Sequence, residues 1–248
     1  MRPEPAVLAV VVAASLVSLA VYALGHRGER DADAQRKGTR FLLGAGDLLL
    51  HWLLWTLGPL ERALVAAGAL PDHVNAAGLL FGVASGALIG AGRLEAGGWA
   101  MVLAGVCDVL DGRLARARQV ASAYGKFIDS TLDRFVETFA FLGFAVYFSG
   151  RPWGPLVVAA GLGGSLLVSY TQARGESVGV SGSGGLMQRG ERLVLSILGC
   201  LLDPTLSRAL RQPEGTVLLW VRAVVACGAL GTALYRTAWI ARRLRGSG

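Results

Sequence analysis

Residues 105–137, GVCDVLDGRLARARQVASAYGKFIDSTLDRFVE, contain the most informative pattern in the chain. Two pairs of aspartates interrupt this otherwise apolar stretch. Asp108 and Asp111 are three residues apart, and Asp129 and Asp133 are four apart, so each pair shares one face of a helix. We expect two consecutive helices joined by a cytoplasmic turn, whose antiparallel packing would bring all four carboxylates together.

Charged side chains inside a membrane are costly, which makes these aspartates functional candidates. Four carboxylates at close range repel one another unless cations compensate their charge. Oxygen-only ligands suit Mg²⁺, Mn²⁺ or Ca²⁺ better than zinc or copper. Two such ions a few ångströms apart can clamp a phosphate during in-line displacement. The four aspartates therefore predict a divalent-metal site.

The turn between the two aspartate pairs adds groups that bind anions. Gly112 and Gly125 lack side chains, so a phosphate or a base could approach the backbone closely. Arg113, Arg116 and Arg118 crowd the same turn. Metals, arginines and accessible backbone together favour a diphosphate site over a site for a lone proton. The alternative is that single aspartates form structural ion pairs or line a cation or proton pathway.

The composition of the whole chain predicts a membrane protein. The 248 residues are 53% hydrophobic and 17% charged, whereas soluble domains carry about 25% charged residues. The mean hydropathy is +0.52, and the apolar residues fall in long blocks. We predict an all-α polytopic membrane protein. The net charge of +7 fits a basic cytoplasmic face. Because no basic patch is interleaved with aromatic residues, we expect no nucleic-acid partner.

The apolar blocks divide the chain into four parts. Residues 1–25 contain an uncharged run long enough to form an N-terminal transmembrane anchor, and residues 26–40 form a charged linker. Residues 41–66 are apolar but interrupted by charges, which favours an amphipathic helix on the membrane surface over a spanning helix. Residues 67–248 are expected to form a six-helix membrane domain that carries the candidate catalytic aspartates. Its six predicted spans are 73–92, 96–117, 121–149, 153–173, 190–207 and 216–239.

Lysine and arginine counts orient the chain. Counted with Arg134 and Arg236, the linker, the interfacial helix, the 110–126 turn, the 174–192 loop and the C-terminal tail carry 18 of the 24 basic residues. Basic residues concentrate on the cytoplasmic side of membrane proteins. We therefore predict a multi-pass protein of the cell membrane with its active site facing the cytoplasm. A spanning 41–66 helix would separate the linker from the other basic loops and weaken this asymmetry.

The aspartate region resembles the CDP-alcohol phosphotransferase family, whose pattern is D-x2-D-G-x2-A-R-x8-G-x3-D-x3-D. Every fixed position of the pattern is matched with its spacing intact. The matching residues are Asp108, Asp111, Gly112, Ala115, Arg116, Gly125, Asp129 and Asp133. The resemblance covers about residues 41–240 and implies a six-transmembrane-helix CDP-alcohol phosphotransferase-type bundle. To that bundle this chain adds one extra N-terminal transmembrane helix and a cytoplasmic interfacial helix.

The resemblance also implies roles for these residues. Asp108, Asp111 and Asp129 would ligate two divalent ions, Mg²⁺ or Mn²⁺, and Asp133 would be the general base and a further metal ligand. The residues implied to line the CDP-lipid pocket are Gly112, Ala115, Arg116 and Gly125. The donor would be CDP-diacylglycerol or a similar CDP-lipid in the bilayer, from which a polar alcohol displaces CMP. The family commonly forms homodimers.

A second, weaker resemblance lies upstream. The run from Pro71 to Asn75 resembles the P-x-x-x-T/N entry to the family's first core helix. It implies that Asp72 and Asn75 contact the CDP group. The alternative is that these are ordinary helix-start residues.

Residues 169–192 bear on the acceptor alcohol. The stretch contains three arginines and two acids, and arginine forks match the geometry of phosphate. A small polar acceptor that itself carries a phosphate would fit, although a plain positive-inside loop is the alternative. The residues predicted to bind the acceptor phosphate are Ser169, Arg174, Arg189 and Arg192.

The same stretch resembles phosphatidylinositol-phosphate synthases of bacteria and their archaeal counterparts. Two positions depart from those relatives: Gln172 stands where they carry lysine, and Gly190 where they usually carry proline. The resemblance makes inositol phosphate the expected acceptor, in phospholipid biosynthesis. The alternatives are another acceptor, such as glycerol 3-phosphate or serine, and more distantly a cation or proton transporter. A transporter would more often show internal repeats, and we find none in the sequence.

Overall fold

The computed structural model describes residues 4–25, 46–181 and 184–246, and these ranges contain eight α-helices and no strand. The helices are α1 Glu4–Gly25, α2 Gly46–Ala66, α3 Pro71–Gly90, α4 Leu94–Ala117, α5 Ala123–Tyr147, α6 Gly154–Ser177, α7 Arg189–Ala209 and α8 Thr216–Gly246. The all-α prediction is confirmed. The predicted linker 26–40 and the first residues of the predicted interfacial helix, 41–45, lie outside the described residues.

Each of the six predicted core spans corresponds to one helix, α3 to α8. Within the described part of the chain, three helices are long and apolar enough to cross a membrane: Pro71–Gly90, Gly154–Ser177 and Thr216–Gly246. The seven-span topology as a whole remains a prediction.

Two segments that were predicted to be turns or loops are partly helical. Helix α4 ends at Ala117, the last residue of the predicted 96–117 span, so the motif residues Asp111 to Arg116, which were also counted with the 110–126 turn, lie on that helix. Helix α6 continues to Ser177, which places Arg174 on a helix rather than in the 174–192 loop. Gly179 follows the end of helix α6, and its φ of +80° suits a residue without a Cβ. Its N–H donates to the carbonyl of Glu176 at 3.1 Å.

The described residues form two compact units: Met1–Asn75 with Cys107–Lys126, and Ala76–Val106 with Phe127–Gly248. In the first unit, α1 packs on α2. The indole Nε1 of Trp52 donates to the Ser18 hydroxyl at 3.1 Å. The rings of Tyr22 and Trp55 lie 5.6 Å apart between centroids.

In the second unit, α3 and α5 pack with their backbones nearly touching. A Cβ at Gly86 would overlap the carbonyl of Phe139, and one at Gly143 would overlap the carbonyl of Gly86. Small residues permit this approach between membrane helices. The contact fixes α5, the helix that carries Asp129 and Asp133.

The start of α8 is held by a buried side chain of α7. Asp203 is fully buried and accepts hydrogen bonds from the N–H groups of Gly215 at 2.6 Å and Leu218 at 2.8 Å. The Ser207 hydroxyl donates to the same carboxylate at 2.9 Å. The first N–H groups of a helix lack acceptors within the helix. The Asp203 carboxylate of α7 provides acceptors for those at the start of α8.

Replacing Asp203 by alanine would leave these buried N–H groups without partners. We expect the free energy of unfolding to fall by about 3 kcal/mol, measured as a lower melting temperature in detergent. The control is Glu214→Ala, which removes an exposed acid from the neighbouring loop. An Asp203→Ala variant that melts at the same temperature as this control would contradict the capping role.

Candidate active site

Half of the motif lies in the first unit, on the last turns of α4. The buried side chains of Leu110 and Leu114 are 3% and 0% exposed, and they fix the opposite side of the helix from Asp108. Asp111 is 4% exposed, and its carboxylate accepts the N–H of Gly112. The prediction that Asp108 and Asp111 share a helix is confirmed.

Gly112 leaves room beside an arginine. A Cβ there would lie 3.3 Å from Nη1 of Arg116. The absent side chain thus leaves the backbone beside this guanidinium accessible, as a diphosphate-binding segment needs. Ala115 lies half-buried one residue before Arg116.

The remaining CDP-pocket candidates lie near two helix starts. Asp72 is exposed and Asn75 half-buried at the start of α3, which begins at Pro71. The N–H of Gly125 donates to the Ser122 hydroxyl at 3.1 Å, so Ser122 caps the beginning of α5. The contact of Asp72, Asn75 and Gly125 with CDP remains a prediction.

The other half of the motif lies on α5 in the second unit. Asp129 and Asp133 are half-buried, and each offers a carboxylate oxygen within 4.8 Å of the other. Two adjacent carboxylates suit a hard divalent cation such as Mg²⁺ or Mn²⁺. The donor atoms that the structure provides here therefore fit the predicted metal.

Two ion pairs join α5 to the first turn of α7. Arg189 donates through Nη2 to Oδ1 of Asp133 at 2.5 Å. One turn further along α5, Arg192 donates to both carboxylate oxygens of Glu137, at 2.9 and 3.3 Å. The spacings of four residues on α5 and three on α7 put the two pairs side by side.

The two arginines differ in exposure. The side chain of Arg189 is 35% exposed, whereas that of Arg192 is 2% exposed. Arg192 also donates to the carbonyl of Met187 at 3.2 Å. Of the two, Arg189 is the better placed to meet a soluble acceptor, while Arg192 holds α7 against α5.

The other predicted acceptor residues lie on α6. Arg174 is exposed and donates to the Ser177 hydroxyl of its own helix at 3.4 Å. Ser169 lines an open cavity of about 600 Å³, together with Phe127, Arg134 and Tyr170. Contact of Ser169, Arg174 or Arg192 with an acceptor phosphate remains a prediction.

Two further charged residues were not assigned a site role from the sequence. Arg236 of α8 is 3% exposed and donates to the side-chain oxygen of Gln172 at 3.2 Å and to the carbonyl of Val168 at 2.9 Å. Glu137 of α5 pairs with Arg192. Charge within an apolar helix was the available signal for Arg236.

The chain is similar to a family of known enzymes and to their solved structures. The sequence profile of the CDP-alcohol phosphatidyltransferases matches residues 68–235. The chain belongs to this family. It is 35% identical over 173 residues to the phosphatidylinositol phosphate synthase of Mycobacteroides abscessus, covering 68% of this chain and 77% of the relative. It is 34% identical over 185 residues to the archaetidylinositol phosphate synthase of Methanothermobacter thermautotrophicus, covering 71% and 86%.

Solved structures give the same result. The CDP-DAG-bound crystal structure of phosphatidylinositol phosphate synthase from Mycobacterium tuberculosis superimposes with a TM-score of 0.64 at 29% identity, covering 73% of this chain and 92% of that one. The structure of that enzyme with manganese and citrate gives 0.65 at 27% identity, covering 73% and 87%. The predicted family and transferase class are confirmed. Together with its three apolar helices, family membership indicates an integral membrane protein.

Proposed function

We propose that this enzyme transfers a phosphatidyl-type group from a CDP-linked lipid to inositol phosphate and releases CMP. The observation that carries the proposal is the Arg189–Asp133 pair. It places a cation suited to a phosphorylated alcohol beside the carboxylate suited to take the alcohol's proton. The names of the relatives, which are phosphatidylinositol phosphate and archaetidylinositol phosphate synthases, support the same acceptor.

Asp108, Asp111, Asp129 and Asp133 are proposed to hold two divalent ions, Mg²⁺ or Mn²⁺. Support comes from the intact motif, from the neighbouring carboxylates of Asp129 and Asp133, and from the manganese in a relative's structure. When bound, such ions neutralise negative charge on a diphosphate.

The chain's own groups then have separate tasks. The Asp133 carboxylate accepts the proton of the acceptor hydroxyl as the new O–P bond forms and the P–O bond to CMP breaks. Arg189 binds the acceptor phosphate, and the arginine fork gives it a preferred orientation. Ser169, Arg174 and Arg192 complete the proposed acceptor set.

The CDP-lipid is proposed to bind on the α4 side of the motif. The residues assigned to it are Gly112, Ala115, Arg116, Gly125, Asp72 and Asn75. The space beside the Arg116 guanidinium supports this assignment.

The membrane arrangement is proposed from the sequence. Seven helices would span the cell membrane, α2 would lie in the interface, and the active site would face the cytoplasm. The small residues on the helices allow close packing and agree with a homodimer.

An acceptor screen tests this function. The purified enzyme in nanodiscs receives CDP-diacylglycerol, Mn²⁺ or Mg²⁺, and one of four acceptors: inositol phosphate, inositol, glycerol 3-phosphate or serine. CMP release and the lipid product are read by mass spectrometry. We expect product with inositol phosphate alone. Product with another acceptor would keep the transferase chemistry and overturn the acceptor. If no acceptor gave product, CDP-linked ether lipids would be the next donors.

A further inference from the structure

Helix α2 holds the last turns of α4 at two points, both within the first unit. Arg113 donates through Nε to Oε2 of Glu61, and Arg118 donates through Nη2 to the carbonyl of Val65 at 3.1 Å. Glu61 and Val65 are one turn apart and lie on the same face of α2. The side chains of Arg113 and Glu61 are only 14% and 17% exposed, so the pair is largely shielded from water.

The position of Arg113 within the motif gives this contact its significance. Arg113 directly follows Gly112 and fills a variable position of D-G-x2-A-R. At 3.6 residues per turn, it lies roughly 140° around α4 from Asp108. Glu61 therefore holds the helix from a side that leaves the Asp108 face open. A contact there fixes the rotation of α4 about its axis and hence the direction in which Asp108 and Arg116 point.

Helix α2 is in turn anchored by α1. The Trp52–Ser18 hydrogen bond and the contact between the Tyr22 and Trp55 rings join the two helices. Both helices lie outside residues 68–235, the range matched by the family profile. Two elements beyond the matched region thus form a continuous set of contacts that ends on the motif.

We propose that Glu61 is a positioning residue: through its ion pair with Arg113, the α1–α2 pair sets the orientation of the motif segment of α4. The proposal rests on the proposed function and adds a residue to it. The α4 part of the motif is assigned to the CDP-lipid. The KM of the enzyme for the CDP-lipid should therefore depend on Glu61 more than its KM for the acceptor does.

The test combines single and exchanged charges. The variants are Glu61→Gln, Arg113→Gln and the double exchange Glu61→Arg with Arg113→Glu. For each, kcat and the KM values of CDP-diacylglycerol and inositol phosphate are measured, and CDP binding with Mn²⁺ is measured by calorimetry. We expect each single variant to lose about tenfold in kcat/KM for the CDP-lipid and in CDP affinity. The exchange should recover most of this loss, and the acceptor KM should change less than twofold.

The matched control is Arg62→Gln, which removes an exposed charge from the same helix. A merely structural role would lower the melting temperature without separating the two KM values. The positioning role would be wrong if Glu61→Gln and Arg113→Gln had the same CDP-lipid KM and CDP affinity as Arg62→Gln. It would also be wrong if the double exchange recovered no more activity than the single variants. Neither result bears on the proposed function, which fails instead if the unaltered enzyme makes no inositol-phosphate lipid from either CDP-diacylglycerol or a CDP-linked ether lipid.

Discussion

Replacing Asp133 by asparagine is expected to lower turnover by about 1,000-fold while CDP-lipid still binds. Asparagine keeps the volume of aspartate but has no carboxylate to accept the acceptor's proton, and general-base contributions are of about 10²–10⁴-fold. Turnover is measured as CMP release at saturating substrates, and donor binding as CDP-lipid affinity by calorimetry. Near-normal turnover would show that Asp133 is not the general base.

The substitution also breaks the ion pair with Arg189, and a second variant separates the two effects. Arg189→Gln breaks the same pair from the other side but leaves the carboxylate of Asp133 in place. It should raise the KM for inositol phosphate by about tenfold, since a hydrogen bond between charged groups contributes about 1.5–3 kcal/mol, and retain most of kcat. Equal kcat losses in both variants would mean that the pair, and not the base, explains the effect.

The spacing of the motif predicted the local arrangement of the site. Separations of three and four residues put Asp108 with Asp111, and Asp129 with Asp133, on shared helix faces because helical geometry alone decides this. The proximity of the Asp129 and Asp133 oxygens agrees with that prediction. The family pattern then supplied the chemistry that spacing alone left open.

The partners of the charged residues could not be predicted in the same way. Glu61 and Arg113 are 52 residues apart in the chain, and Glu137 and Arg192 are 55 apart. Such pairs depend on which helix faces meet, and periodicity within one helix carries no information about that. Charges that interrupt apolar helices did mark these positions as unusual, without identifying the partner.

The residues at which the helices end could also not be predicted from the sequence. Arg174 was placed in a loop because the charged stretch after residue 173 looks soluble, yet α6 continues to Ser177 and stops before Gly179. Polar residues extend a helix readily when nothing breaks it. The consequence is functional, since Ser169 and Arg174 are fixed on a helix while Arg189 begins the next one.

The largest effect on stability is expected from removing the charge of Glu137. Arg192 is 2% exposed and donates hydrogen bonds to both carboxylate oxygens of Glu137.

A second buried arginine, Arg222, is 1% exposed, with its guanidinium 4.1 and 4.4 Å from the ring centres of Phe141 and Phe144. Its Nη1 donates to the Ser196 hydroxyl at 2.6 Å, whereas its Nε and Nη2 find no partner among the described residues. Glu137 thus compensates the buried positive charge of Arg192.

A Glu137→Gln variant would leave that positive charge uncompensated in apolar surroundings. We expect its free energy of unfolding to fall by about 3–5 kcal/mol, seen as a lower melting temperature and a lower yield from the membrane. The informative control is the double variant Glu137→Gln with Arg192→Met, which removes both charges of the pair. Replacing a buried ion pair by groups of similar volume is often neutral or stabilising, so the double variant should melt above the single one. A double variant less stable than Glu137→Gln would show that Arg192 stabilises the bundle by its other contacts, chiefly the Met187 carbonyl, and not through Glu137.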